Sequence, residues 1–265
     1  MADILQKILA AKRAEVDRAR QSIPRTEIER QAADADPPRG FERAIRARMA
    51  QGKPAVIAEI KRASPSRGLI RTDFDPARFA RSYEEHGAAC LSVLTDREFF
   101  AGSREDLVDA RQACSLPVLR KDFIVDPYQV YEARAWGADC ILLILDAAPD
   151  DELAALERDA RAAGLDVLVE CHDRAQLTRA LATFDTPLIG INNRDLTTFR
   201  TELDTTVQLA GLVPRERILV TESGIASAAD VARLRTAKVS AYLVGSAFME
   251  APDPGLELKR VFSGL

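Results

Sequence analysis

Val56-Ile57-Ala58-Glu59-Ile60-Lys61-Arg62-Ala63-Ser64-Pro65-Ser66-Arg67-Gly68 opens as an apolar run of β type and breaks in a turn of hydroxyls, proline and glycine. Glu59 and Lys61 are two residues apart, which in a strand puts both side chains on one face. A carboxylate and an ammonium then stand together at the carboxyl end of the strand, beside a turn rich in backbone donors. That is a place suited to chemistry on a small charged molecule.

Outward from this stretch the same pattern recurs: a short β-branched or leucine-rich run, a polar loop, then a helical segment rich in Ala and Arg. The predicted strands are Val56 to Lys61, Cys90 to Thr95, Pro117 to Phe123, Cys140 to Leu145, Asp166 to Cys171, Leu188 to Asn193, Arg217 to Ser223 and Ala241 to Ser246. Helices are predicted between them at Pro76 to His86, Glu105 to Ala113, Pro127 to Trp136, Asp151 to Ala163, Arg174 to Leu181, Thr205 to Leu212 and Ser227 to Lys238, with a last one at Pro254 to Phe262. Strand starts separated by roughly 20 to 35 residues suit right-handed βαβ crossovers and a parallel sheet. Eight such units favour an α/β fold of one kind, a single (β/α)8 TIM barrel over residues 53–265, rather than an open doubly wound sheet.

Residues 1–52 precede the repeat and read as a helical extension. Ile4, Leu5, Ile8 and Leu9 mark one side of a charged helix that stops near Ser22 and Pro24, and Phe41, Ile45 and Met49 mark another. A turn is predicted at Ala33 to Pro38.

Bulk properties exclude several classes. Lys and Arg number 37 against 41 Asp and Glu, a net charge of −4 with both signs mixed, so no basic field points to nucleic acid. No run approaches the roughly 20 apolar residues of a membrane span, and the amino terminus has no apolar core of a signal peptide. A cytoplasmic protein is expected. Cys90, Cys114, Cys140 and Cys171 are widely spaced and read as reduced cysteines. His86 and His172 have no second histidine nearby, so no metal site is expected. Trp136 and Phe248 read as packing residues, and the arginines of the helices as solvated faces.

In a barrel of this type the active site is assembled at the carboxyl ends of the strands. Ionisable residues collect there: Glu59 and Lys61, then Lys121 on one face with Leu119 and Phe123, then Glu170, then Asn192, Arg194 and Asp195, and finally Glu222. Such charges must pair or face a solvated cavity, because the barrel interior is otherwise apolar. Strand seven runs into Ser223-Gly224-Ile225-Ala226-Ser227, where Ser227 with Asp230 has the form of a capping box, and strand eight into Val244-Gly245-Ser246. Glycine turns at these two positions match a barrel phosphate site.

The blocks Ala58-Glu59-Ile60-Lys61-Arg62-Ala63-Ser64-Pro65-Ser66-Arg67-Gly68, Ser92-Val93-Leu94-Thr95-Asp96 with Phe99, Phe100 and Gly102, Leu119-Arg120-Lys121-Asp122-Phe123-Ile124, Leu168-Val169-Glu170, Gly190-Ile191-Asn192-Asn193-Arg194-Asp195-Leu196, Glu222-Ser223-Gly224-Ile225 and Val244-Gly245 together resemble the indole-3-glycerol-phosphate synthase family. The resemblance implies cyclisation of 1-(o-carboxyphenylamino)-1-deoxyribulose 5-phosphate, with loss of carbon dioxide and water, in tryptophan biosynthesis. No cofactor or metal is implied. By the same resemblance Lys121 is the general acid, with Glu59, Lys61, Glu170 and Asn192 sharing the remaining catalytic work. Arg194, Glu222, Phe123 and Phe99 or Phe100 would hold the substrate, and Ser64, Ser223, Gly224, Gly245 and Ser246 its phosphate. The amino-terminal helix would cover the barrel mouth. A monomer is expected, and association with other enzymes of the pathway stays open. So does the choice of lysine and glutamate for the dehydration. Cys171 and Asn193 depart from the residues more usual in the family, without touching the chemistry. Another phosphosugar barrel such as phosphoribosylanthranilate isomerase, or a barrel that only binds a phosphorylated ligand, are the competing readings. The first would use a cysteine after strand one, which is absent, and the second has no use for paired lysines and glutamates.

Overall fold

A computed structural model describes residues 3–195 and 199–263; Leu196 of the sequence block above lies outside them. The barrel strands are β1 (Ala55–Ile60), β2 (Cys90–Leu94), β3 (Val118–Lys121), β4 (Cys140–Ile144), β5 (Asp166–Cys171), β6 (Leu188–Asn192), β7 (Ile218–Glu222) and β8 (Ala241–Val244). Each pairs in parallel with its neighbour, and β8 returns to β1 with Ala55 opposite Ala241, closing the ring. A two-residue hairpin, Ala63–Ser64 against Gly68–Leu69, follows β1. The strands stop short of several predicted ends. After β3, for example, Asp122 turns its own carboxylate to the Phe123 N–H, 2.8 Å away, and the ladder ends there.

The helices are α1 (Asp3–Ser22), α2 (Arg25–Asp34), α3 (Phe41–Ala50), α4 (Pro76–Glu85), α5 (Arg97–Phe100), α6 (Arg104–Ala113), α7 (Pro127–Ala135), α8 (Asp150–Ala162), α9 (Arg174–Thr183), α10 (Asp204–Leu209), α11 (Ala228–Thr236), α12 (Ser246–Met249) and α13 (Pro254–Phe262). Three of them begin at Asp-Pro, where the aspartate accepts from the first turn and the proline is preset for a helix: Asp75, Asp126 and Asp253. The Ser227–Asp230 capping box opens α11 as the sequence indicates. No helix among the described residues is long and apolar enough to cross a membrane.

Strand alternation divides the core in two. Val56, Ala58, Ile60, Leu91 and Val93 face outward into a layer shared with the helices, while Ala55, Ile57, Cys90, Leu119, Leu168, Leu188, Val220 and Leu243 fill the barrel. Continued in steps of two, the inward rows arrive at Glu59, Lys121, Glu170, Glu222 and Gly245, and, beyond Gly190, at Asn192. The apolar interior thus gives way to a charged layer at the carboxyl end.

The extension touches both ends of the barrel. α3 closes the amino end, where Phe41 and Ile45 are fully buried among Ala55, Cys90 and Ala241, and the Glu42 N–H donates to Asp166 Oδ2 at 2.9 Å. α1 crosses the opposite end. Its Lys12, 1% exposed, reaches Asp122 Oδ1 at 2.8 Å and Asp96 Oδ2 at 3.1 Å. Between them, α2 packs on the flank: Ile28 is buried with Val16 and Tyr128, and the Tyr128 hydroxyl donates to the carbonyls of Ala19 and Ile23. α2 is absent from the sequence reading, and so are the short α5 and α12.

Candidate active site

A cavity of about 350 Å³ opens at the carboxyl ends of the strands, under α1. Every predicted site residue except Phe99 lines it. Of the aromatic pair on α5 it is Phe100 that faces the cavity, its ring 6.2 Å from Phe123. Neighbours on a helix point about 100° apart, so one turn presents only one of them; Phe99 instead donates its N–H to Asp96 Oδ1 at 2.8 Å.

Lys121, at the end of β3, lies between two carboxylates. Its Nζ is 3.1 Å from Glu170 Oε2 and 3.4 Å from Glu222 Oε2. Asn192 Nδ2 donates to the other oxygen of Glu170 at 3.2 Å. Beside this group, Lys61 Nζ is 2.5 Å from Glu59 Oε1. Glu59, Glu170 and Glu222 are all buried.

Three buried carboxylates share two lysines, and burial makes any carboxylate charge without a close partner costly. The two glutamates beside Lys121 respond in opposite directions. Burial pushes Glu222 well above the ordinary carboxylate range; Lys121 relieves part of this, and the neighbouring Glu170 adds to it. Burial also acts on Glu170, but Lys121, His172 and the Asn192 amide outweigh it and hold Glu170 below the ordinary range. Burial lowers Lys121, yet Glu170, Glu222 and Glu59 together raise it, so the ammonium is firmly charged. Glu222 Oε1 has no hydrogen-bond partner, which suits a carboxyl that awaits a ligand.

The rim carries the predicted phosphate residues. Ser223 and Gly224 both have positive φ, 65° and 84°, and a non-glycine residue in that region signals a constrained turn. It swings the chain over the mouth directly after Glu222. Arg194 Nη1 donates to Ser66 Oγ at 3.1 Å, tying the segment after β6 to the turn after β1.

Sequence reasoning missed part of the lining. Ile4, Leu5 and Ile8 of α1 roof the cavity, and Arg67 and Phe199 also line it. That α1 covers the mouth is expected from the family resemblance; which of its residues line the cavity is not.

A family model described as indole-3-glycerol phosphate synthase matches residues 5–261. Curated proteins named indole-3-glycerol phosphate synthase align almost end to end: 57% identity for Polaromonas sp. (strain JS666), covering 99% of each chain, and 58% for Acidithiobacillus ferrooxidans, again covering 99% of each. The chain belongs to the indole-3-glycerol phosphate synthase family. Members of this family are carboxy-lyases of tryptophan biosynthesis, and the chain is an enzyme of that class. Solved barrels share the fold at low identity. A tryptophan synthase alpha chain from Legionella pneumophila has a TM-score of 0.59 at 15% identity, covering 86% of this chain and 95% of its own. An N-acetylmannosamine-6-phosphate 2-epimerase from Clostridium perfringens has a TM-score of 0.58 at 12%, covering 75% and 90%.

Within the synthase site, glycine makes room for the acids. A Cβ at Gly245 would lie 2.2 Å from Glu59 Oε1, and one at Gly190 2.3 Å from Glu222 Oε1. Gly245→Ala is therefore expected to displace Glu59 from Lys61 and lower kcat/KM by about 10- to 100-fold, with little change in the melting midpoint. Steady-state kinetics on the purified variant check this; full activity would mean that Glu59 can move without consequence.

Proposed function

We propose that the chain converts 1-(o-carboxyphenylamino)-1-deoxyribulose 5-phosphate to indole-3-glycerol phosphate, with Lys121, Glu170 and Glu222 carrying the proton transfers. The observation that carries this reading is one lysine held between two buried glutamates, 3.1 Å from Glu170 and 3.4 Å from Glu222, whose surroundings push their pKa values in opposite directions. The ring carbon bearing the carboxylate attacks the ketone carbon, and Lys121 gives a proton to the carbonyl oxygen as the bond forms. Carbon dioxide then leaves and its bonding electrons restore the aromatic ring. The new hydroxyl departs as water with a proton from Glu222, assisted by the nitrogen lone pair. The resulting C=N⁺ unit loses a C–H proton to Glu170, which completes the indole.

Glu59 holds Lys61 in place, where the ammonium attracts the substrate carboxylate and keeps it aligned for release. Asn192 and Arg194 orient the ribulose portion. Phe100 and Phe123, roofed by Ile4, Leu5 and Ile8, form an apolar slot for the anthranilate ring and limit water around the cation formed during dehydration. Ser64, Ser223, Gly224, Gly245 and Ser246 hold the phosphate. We place the enzyme in the cytoplasm as a monomer, with residues 1–52 and 53–265 acting as one unit.

The fluorescence of the indole ring gives a direct assay. Product formed from the carboxyphenylamino-deoxyribulose phosphate in the presence of a chelator supports the reaction as written. A folded protein that binds this substrate without forming product would overturn it and redirect attention to other phosphosugars.

A further inference from the structure

His172 follows β5 directly and has no part in the steps above, yet its ring stands between the catalytic cavity and a second cleft lined by Asp146, Asp173, Gln176 and Asn193. Its Nε2 is 3.4 Å from Glu170 Oε1. This is the carboxylate oxygen opposite the one that Lys121 takes. Its Nδ1 is 3.3 Å from Gln176 Oε1.

The Gln176 amide has one sensible orientation. Its Oε1 accepts the His172 backbone N–H at 2.9 Å, and its Nε2 donates to Asp146 Oδ2 at 2.8 Å. The oxygen therefore faces the ring, and Nδ1 must carry a proton to meet it. Nε2 is buried and makes no hydrogen bond among the described residues, and the atom it faces at 3.4 Å is a carboxylate oxygen. A lone pair there would be repelled, whereas a proton is attracted. A ring carrying a proton on each nitrogen meets both partners. The charged groups around it are predominantly acidic: Glu170 from β5, Asp146 from the loop after β4, Asp173 at the cap of α9, and Asp195 and Glu202 with Arg200 from the segment across the cleft.

We propose that His172 is a positioning residue: as an imidazolium aligned by Gln176 and Asp146, it selects Glu170 rather than Glu222 as the ionised member of the pair beside Lys121. Both glutamates are buried and both touch the same ammonium. What distinguishes them is that Glu170 Oε1 meets the His172 ring and the Asn192 amide, whereas Glu222 Oε1 has no hydrogen-bond partner. Burial aside, His172 ranks directly after Lys121 among the groups that hold Glu170 ionised. The proposal rests on the reading of Glu170 as the base.

The test is the pH profile of kcat/KM for His172→Asn and Gln176→Leu, each in the full chain. Activity rises with pH as the base loses its proton, so removal of a positive charge from Glu170 shifts this acid limb upward, by about one pH unit for His172→Asn. At a pH on the limb kcat falls about tenfold, and it recovers at higher pH. Gln176→Leu frees the ring without deleting it and gives a smaller shift in the same direction, which keeps the test available if His172→Asn folds poorly. A purely structural role would lower the melting midpoint and leave the limb where it is. Glu170→Gln separates the two levels of argument. Normal activity in Glu170→Gln would remove the base reading and this proposal with it. An inactive Glu170→Gln beside folded His172→Asn and Gln176→Leu proteins with the parental profile would overturn the His172 assignment alone.

Discussion

Lys121→Met lowers kcat by about a thousandfold, within the range for loss of a positioned general acid, while the folded protein still binds the substrate phosphate at the rim. Among the described residues, Lys121 is the cation paired with both Glu170 and Glu222. Its loss removes the proton donor at the ketone and leaves two buried carboxyls facing each other, so that one must stay protonated. Methionine keeps the length and removes the charge. The measurement is single-turnover formation of the indole chromophore, with circular dichroism to confirm the fold. Turnover within tenfold of the parent would mean that the proton reaches the ketone oxygen from another group, with Lys61 the next to test.

Lys12→Met destabilises the protein by about 3 to 5 kcal/mol, the usual cost of removing one partner from a buried ionic network. The ammonium is 1% exposed and is shared by Asp122, Asp96 and Glu15. Asp122 also accepts from Thr95 at 2.6 Å and from Arg120 at 3.1 Å, and the Arg120 guanidinium lies 4.0 Å over Trp136. Without Lys12 two carboxylates remain buried with too little positive charge. Burial lowers the ammonium, but Asp122, Asp96 and Glu15 raise it above an ordinary lysine. Its contribution is therefore complete below the ordinary lysine value and disappears as the pH climbs through the folded value. Asp122 is the converse: burial raises it, Arg120 and Lys12 lower it further, and its contribution is present above the ordinary aspartate value and lost as the pH falls through the folded one. Denaturant melts of parent and variant should thus differ by a constant amount around neutral pH and converge in strong acid. A constant difference down to the acid-unfolding range would show that the ion pairs are not its source.

The barrel was legible because its strands announce themselves by composition and its repeat by spacing; the charged layer was legible because the inward row of β1 carries Glu59 two residues after Ile57. Lys12 was not. In α1 it is one charge among many, and only the tertiary fold puts two aspartates from the ends of other strands against it. α2 escaped for a related reason: Pro24 reads as a stop, and the helix buries only Ile28 and Ala32, too few positions to define a stripe. Arg120 faces away from the cavity, between β3 and the helices, and its full burial depends on Trp136 and Glu132. The choice between Phe99 and Phe100 turns on the phase of a single helical turn, which no periodicity reports. His172, whose Nε2 lies 3.4 Å from Glu170 Oε1, is in sequence one more polar residue after a strand.

The plug formed by α3 bears on how the chain is made. Phe41 and Ile45 belong to the first fifth of the sequence, but the barrel core they join also contains Ile218, Val220, Ala241 and Leu243 from the last two strands, and the ring itself closes only when β8 meets β1. During synthesis from the amino end, this segment must wait with its aromatic and aliphatic groups unsatisfied until nearly the whole polypeptide has emerged. Contacts spanning so much of the chain carry a large loop-closure entropy and slow folding. Ring closure and docking of the plug therefore both depend on the last strands, and until those are made the apolar face of α3 lacks the core it joins.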